Sequence, residues 1–200
     1  MTYIFIAITT LVSIACFSRH DLAHKLQFNA WQIKHQKQYW RAFSYALVHG
    51  GWAHLLVNML VLFSFGRNIE FAFTQLFGDA KGLLFYGLLY VGGIIFSTLF
   101  DYIKQQNNIY YNAVGASGAV SAVLFASILL FPKSGLIVFP IPIPIPAFIF
   151  GILYLIYSAY MAKKGIDNVG HTAHFSGAVF GFLFPILLKP DLIQHFLAKF

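Results

Sequence analysis

Polar and apolar positions along this chain fall into long blocks rather than short alternations. The first block, Thr2 to Phe17, is largely apolar. Five more follow at about 51–74, 82–103, 113–131, 146–162 and 169–189. Each is near the roughly 17–25 residues that a membrane-spanning helix needs. The breaks are polar or turn-forming: Gly78-Asp79 before Lys81, Lys104 to Asn108, Pro132-Lys133-Ser134-Gly135, Lys163-Lys164-Gly165 and Asp167-Asn168. Six spanning helices are the prediction. The first is read as a helix and not as a signal peptide, because the first Lys or Arg is Arg19 and no basic segment precedes the apolar run. Ser13-Ile14-Ala15 ahead of Cys16 also makes a poor lipoprotein cleavage sequence.

Two segments break the block pattern. Arg19 to Val48 holds five of the 13 Lys and Arg residues (Arg19, Lys25, Lys34, Lys37 and Arg41). Leu22, Leu26, Trp31 and Ile33 give it a broken amphipathic period. It reads as a long first loop of short helices in the headgroup region, anchored by Trp31, Tyr39 and Trp40. The other segment is Phe139 followed by Pro140-Ile141-Pro142-Ile143-Pro144-Ile145-Pro146. Alternating proline excludes helix and central strand, so the expectation is an extended polyproline-II-like tether on the membrane surface. No internal repeat is visible, which argues against a transporter built from repeats.

Composition narrows the class. Fifty-nine per cent of residues are hydrophobic, 10% are charged, and mean hydropathy is +0.73. A soluble domain carries roughly 25% charged residues, and disorder needs low hydrophobicity. An integral membrane protein remains, folded as a single domain over residues 1–200. The net charge of +7 comes without a long basic run, so lipid headgroups are the expected contact and nucleic acid is not. The single cysteine, Cys16, excludes an internal disulfide and reads as a packing residue.

Polar groups inside a bilayer are costly and mark functional sites. No Asp or Glu falls deep in an apolar block; Glu70 and Asp101 sit near helix ends. The inward polar residues are His54, Asn58, Ser117, Ser121, His171 and His174. His54 and Asn58 are four apart and share one helix face. His54 and Asn58, Ser117 and His174 all lie near the starts of the second, fourth and sixth helices, which parity puts on one side of the membrane. At 1.5 Å per residue each lies roughly 5–11 Å inside its helix. Three polar sites thus reach one depth from one face.

Small residues surround two of them. Ser117 lies in Gly115-Ala116-Ser117-Gly118, followed by Ala122 and Ala126. His174 lies in a stripe of Gly170, His174, Gly177 and Gly181. Close backbone approach through such residues would bring Ser117 and His174 within hydrogen-bond reach, the minimum constellation for nucleophilic acyl transfer. Other readings stay open on residue types alone. Ser117 could bond its own helix carbonyl. His171 and His174 could form half of a metal site, and His54 with His174 could ligate haem. His49 reads as a solvated or interfacial histidine.

The ensemble resembles a rhomboid intramembrane serine protease of the minimal six-helix bacterial type. Trp40-Arg41 in the first loop, His49-x4-His54-x3-Asn58, Gly115-x-Ser117-Gly118 and Ala173-His174-x2-Gly177-x3-Gly181 match in order and spacing over nearly the whole chain. The resemblance implies an all-α bundle with a long interfacial first loop. It implies a serine endopeptidase without metal or organic cofactor, acting on transmembrane-protein substrates in a cell membrane, the bacterial inner membrane for this type. Ser117 would be the nucleophile and His174 the base, a dyad without a buried Asp. His54, Asn58 and the Ser117 backbone N–H would hold the oxyanion. Trp40, Arg41, Gly115, Gly118, Gly177 and Gly181 would be structural. The segment after Lys163 would cap the site. Phe148, Phe150, Tyr154 and Tyr157 of the fifth helix would border a lateral substrate entrance.

Two departures stand out. Many relatives carry Tyr four residues after the nucleophile, packed on the catalytic histidine; here Ser121 occupies that place, so another group must hold His174. The resemblance also puts the first, third and fifth loops outside the cytoplasm, although they carry more Lys and Arg than the other side and the positive-inside rule favours the reverse. A non-enzymatic rhomboid-like binder is the rival within the same family.

Overall fold

The computed structural model describes residues 1–138, 141–165 and 169–200. The long helices are α1 (Thr2–Ser18), α5 (Trp52–Phe77), α6 (Asp79–Gln105), α7 (Ser117–Leu130), α8 (Ala147–Lys164) and α9 (His171–Leu188). Short helices α2 (His20–Leu26), α3 (Ala30–Gln36) and α4 (Arg41–Ser44) fill the segment after α1, and α10 (Asp191–Leu197) follows α9. Among the described residues, α5, α6 and α9 are long and apolar enough to cross a membrane; α1 and α7 are apolar but shorter. The 26 residues of α5 rise about 39 Å, more than the roughly 30 Å hydrocarbon core.

The centre of the bundle is α7, in which every residue from Gly118 to Leu130 is buried. Around it, backbones touch. A Cβ on Gly177 of α9 would lie 2.1 Å from the Gly118 carbonyl oxygen, and one on Gly181 would lie 2.0 Å from the Ala122 carbonyl oxygen. The stripe of small residues is therefore a contact between main chains. On the α6 side, a Cβ on Gly93 would lie 2.9 Å from the Ala119 Cα. Dispersion between closely packed atoms replaces the hydrophobic drive that lipid does not supply. Between α5 and α6 the chain reverses at Gly78, whose φ of +80° lies where glycine is favoured.

Two expectations are corrected. The fourth helix begins at Ser117, not near 113. Gly115 has a φ of +118°, and residues 113–116 form no helix but lie beside the first loop. Their backbone groups are satisfied there: Phe28 and Ala113 exchange N–H···O bonds of 2.9 and 3.1 Å, and the Gly115 N–H reaches the Tyr45 carbonyl at 3.0 Å. The second correction is that the fold is not wholly helical. Strands β1 (Gly135–Val138) and β2 (Ile141–Pro146) form an antiparallel hairpin, with Leu136 opposite Ile145 and Val138 opposite Ile141. The proline run is thus a strand rather than a tether. In an antiparallel pair alternate residues turn their backbone groups to the partner. Isoleucines can take those positions while the prolines, without N–H, face the outer edge. Phe139 and Pro140 of that run, and Asp167-Asn168 of the expected capping loop, lie outside the described residues.

The first loop is held by buried polar contacts. Arg41 is buried, and its guanidinium donates to the His24 and Gln27 carbonyls at 2.8 Å each and to Gln38 Oε1 at 2.6 Å. Burial pulls its pKa down from the usual arginine value. Trp40 is exposed, with its indole N–H 3.3 Å from the Lys25 carbonyl. Tyr45, in a 3-10 turn at Tyr45–Leu47, donates its hydroxyl to the Ile94 carbonyl of α6 at 2.6 Å.

Candidate active site

Ser117 is the first residue of α7, and His174 lies in the first turn of α9. The Gly177–Gly118 approach sets the two helices so close that these side chains meet: His174 Nε2 and Ser117 Oγ are 2.7 Å apart. As the opening residue of its helix, Ser117 presents a backbone N–H with no intrahelical acceptor. The positive end of the α7 dipole lies at the same point.

The start of α7 is set by His49, which the sequence presents as a solvated or interfacial histidine. His49 is buried instead, at 3% exposure. Its Nε2 accepts the Ala116 backbone N–H at 3.4 Å, and its Nδ1 lies 2.9 Å from Ser13 Oγ of α1. Ser13 gives its own proton to the Leu47 carbonyl at 2.7 Å. His49 must then donate from Nδ1 and accept at Nε2, which is one neutral tautomer. Burial, aided by the neighbouring His54, pushes its pKa down to about 3. The His49–His54 spacing was the available signal, but nothing local showed that Ser13, on another helix, would be its partner.

His54 packs edge-on to His49, with ring centroids 4.9 Å apart. It also lies against Gly115: a Cβ there would be 2.7 Å from His54 Cε1. Any larger residue at 115 would displace this ring. His54 Nδ1 accepts a long 3.4 Å bond from the Gly50 N–H, which puts the ring proton on Nε2. Asn58 is buried one turn further along, and its Nδ2 donates to the His54 carbonyl at 2.8 Å. That uses one of its two amide protons.

Ser121 is buried one turn after Ser117 and does not itself cover His174. Its Oγ is 2.6 Å from the hydroxyl of Tyr154 on α8. The Tyr154 ring in turn stacks on His174, at 6.2 Å between centroids and 27° between planes. The same helix face brings Tyr157 edge-on to His171 at 5.4 Å. His171 and His174 are themselves edge-on at 5.9 Å. Among the described residues no three His, Cys, Asp or Glu side chains gather as metal ligands. Two acids of the long apolar helices are engaged elsewhere: Glu70 by the Met1 ammonium and Thr2, Asp101 by the Tyr111 hydroxyl.

An apolar helical bundle with a hydrogen-bonded serine–histidine pair at one end of two interlocked helices defines an integral membrane protein built around a polar centre. A family model describing the rhomboid domain matches residues 36–191, and the chain belongs to the rhomboid family. It is 29% identical over 185 residues to Rhomboid protease AarA of Providencia stuartii, covering 83% of this chain and 62% of that protein. It is 32% identical over 162 residues to RHOMBOID-like protein 2 of Arabidopsis thaliana, covering 80% and 46%. With Rhomboid protein 1, mitochondrial, of Saccharomyces cerevisiae it shares 27% identity over 139 residues, covering 70% and 39%. The chain spans about half the length of these curated relatives. They come from a bacterium, a plant and a yeast mitochondrion, so they point to a membrane without singling out the bacterial inner one.

Proposed function

We propose that this protein is a serine endopeptidase that cleaves transmembrane segments of other membrane proteins within the bilayer. The observation that carries the reading is the 2.7 Å contact between Ser117 Oγ and His174 Nε2. Ser117 attacks the scissile carbonyl while His174 takes its proton and later delivers it to the leaving amine. The tetrahedral oxyanion is held by the Ser117 N–H, the Nε2–H of His54 and the remaining amide proton of Asn58. No metal or organic cofactor is needed for these steps. Water then hydrolyses the acyl-enzyme, reaching the site from the end of the bundle where α5, α7 and α9 begin. Substrates with helix-breaking residues are favoured, because a regular helix shields its peptide bonds.

In this reading α1 and α5 to α9 all cross the membrane, the segment from Arg19 to Val48 lies in the headgroup region, and the site opens outside the cytoplasm. Cysteine-accessibility labelling that put Arg19–Val48 in the cytoplasm would reverse that orientation. The chemistry is tested by labelling detergent-purified protein with a fluorescent fluorophosphonate. Wild type is expected to label. Ser117→Ala and His174→Ala are expected to lose at least about 1,000-fold in rate with unchanged melting. Label that survives Ser117→Ala would remove this serine from the mechanism.

A further inference from the structure

A histidine that accepts and returns a proton must keep its ring plane aimed at the serine. Ser117 holds one edge of His174. The face of the ring is covered by Tyr154, and Tyr154 is itself boxed. Phe125 of α7 lies 5.6 Å from its ring, Phe150 one turn earlier on α8 lies 5.8 Å away, and Ser121 anchors its hydroxyl at 2.6 Å. The phenol is therefore held at both ends, by aromatic contacts along the ring and by a hydrogen bond at its tip.

We propose that Tyr154 is a positioning residue for the base, and that Ser121 acts on His174 through it. This inference rests on the protease reading above. Ser121 is too short to reach the imidazole, but it stands one turn below Ser117 on the same face of α7. It therefore ties the α8 ring to the helix that carries the nucleophile. Nucleophile, base and positioning ring thus come from three helices, with the Ser121–Tyr154 bond joining the outer one to the core. Removing the ring lets the imidazole swing and lowers turnover more than substrate affinity. Removing only the tip bond loosens the ring and costs less.

The test is the rate of fluorophosphonate labelling together with the ¹³Cε1–¹H signal of His174, assigned by its loss in His174→Ala. Tyr154→Leu is expected to slow labelling about 10–100-fold, the order of effect for a misplaced catalytic group, and to remove the ring-current shift from the His174 signal. Tyr154→Phe and Ser121→Ala keep the stack and should slow labelling less than 10-fold. Tyr157→Leu, one turn further on α8, should cost less than Tyr154→Leu, because Tyr157 touches His171 and not His174. The exchange Ser121→Tyr with Tyr154→Ser keeps both side chains but moves the ring to α7, and should regain at least 10-fold over Tyr154→Ser alone. A folded Tyr154→Leu protein that labels at the wild-type rate overturns the inference and leaves the protease reading standing. Folded wild type that does not label overturns both. If Tyr154→Leu fails to fold, an unaltered rate and unaltered His174 signal in Ser121→Ala overturn the coupling through Ser121.

Discussion

Helices α7 and α8 both bear on His174, and they are secured in different ways. Every residue of α7 after Ser117 is buried, and its contacts with α9 are main chain against main chain at Gly118–Gly177 and Ala122–Gly181. Among the described residues α8 buries only Ala147, Gly151 and Ser158, and it meets the core through side-chain ends. A Cβ on its Gly151 would meet side chains, with the tip of Ile128 at 3.0 Å and the Phe125 ring at 3.5 Å. Ser117 and His174 are thus fixed by the stiffest part of the bundle. The ring stacked on His174 comes from a long helix with few buried residues, and local stability follows burial. A site built this way can keep its reacting atoms in register while one wall remains adjustable.

That contrast can be broken most severely at Gly177. Gly177→Ala puts a carbon on top of the Gly118 carbonyl, which neither backbone can avoid without separating α7 from α9. It should cost about 3 kcal/mol or more and abolish labelling. A variant that melts like wild type would show that the two helices do not interlock.

Asn58→Ala is expected to leave the frame intact and lower the rate about 10-fold to 1,000-fold, the range for one oxyanion donor. Single-turnover kinetics with unchanged melting would check this. No rate change would confine Asn58 to its bond with the His54 carbonyl.

A third measurement probes the lock at the α7 start. His49 has its pKa pushed down to about 3 when folded, against about 6.5 unfolded. Between those values the unfolded chain binds more protons than the folded one. Stability is therefore complete above about 6.5 and falls as pH drops through the window. His49→Gln should flatten the dependence of Tm on pH between 6.5 and 4. Equal slopes in both proteins would show that His49 does not link protonation to this lock.

The smallest effect is expected on the other side of the comparison. Gly151→Ala on α8 meets a flexible side-chain tip and gains helix propensity, so stability should stay within about 1 kcal/mol of wild type. A loss as large as that of Gly177→Ala would mean that α8 is as rigidly packed as α9.

The long apolar blocks were legible because hydropathy over some twenty residues depends on no distant partner. Gly177 and Gly181 were legible as a packing stripe for a related reason, since helical spacing alone puts them on one face. The start of α7 was not. Residues 113–116 are apolar enough to continue a helix, and their bonds to Phe28, Tyr45 and His49 keep them out of it. The proline strand was missed because a strand exists through its partner, and β1 had no signal of its own. Burial of His49 depended on Ser13, 36 residues away. The departure at Ser121 was visible in the sequence, but Tyr154 as the ring over His174 was not, because that contact crosses between helices.

Local order and spacing determined the class of this protein: apolar blocks long enough for helices, small residues at helical intervals, and a serine and a histidine at matching depths. Those properties follow from neighbours a few positions apart, which any chain carries into every conformation. The tertiary structure decided where α7 begins, which tautomer His49 takes, how close Ser117 and His174 come and which ring stacks on the histidine. Each of these depends on groups far apart in the chain whose distances are set only when the helices pack.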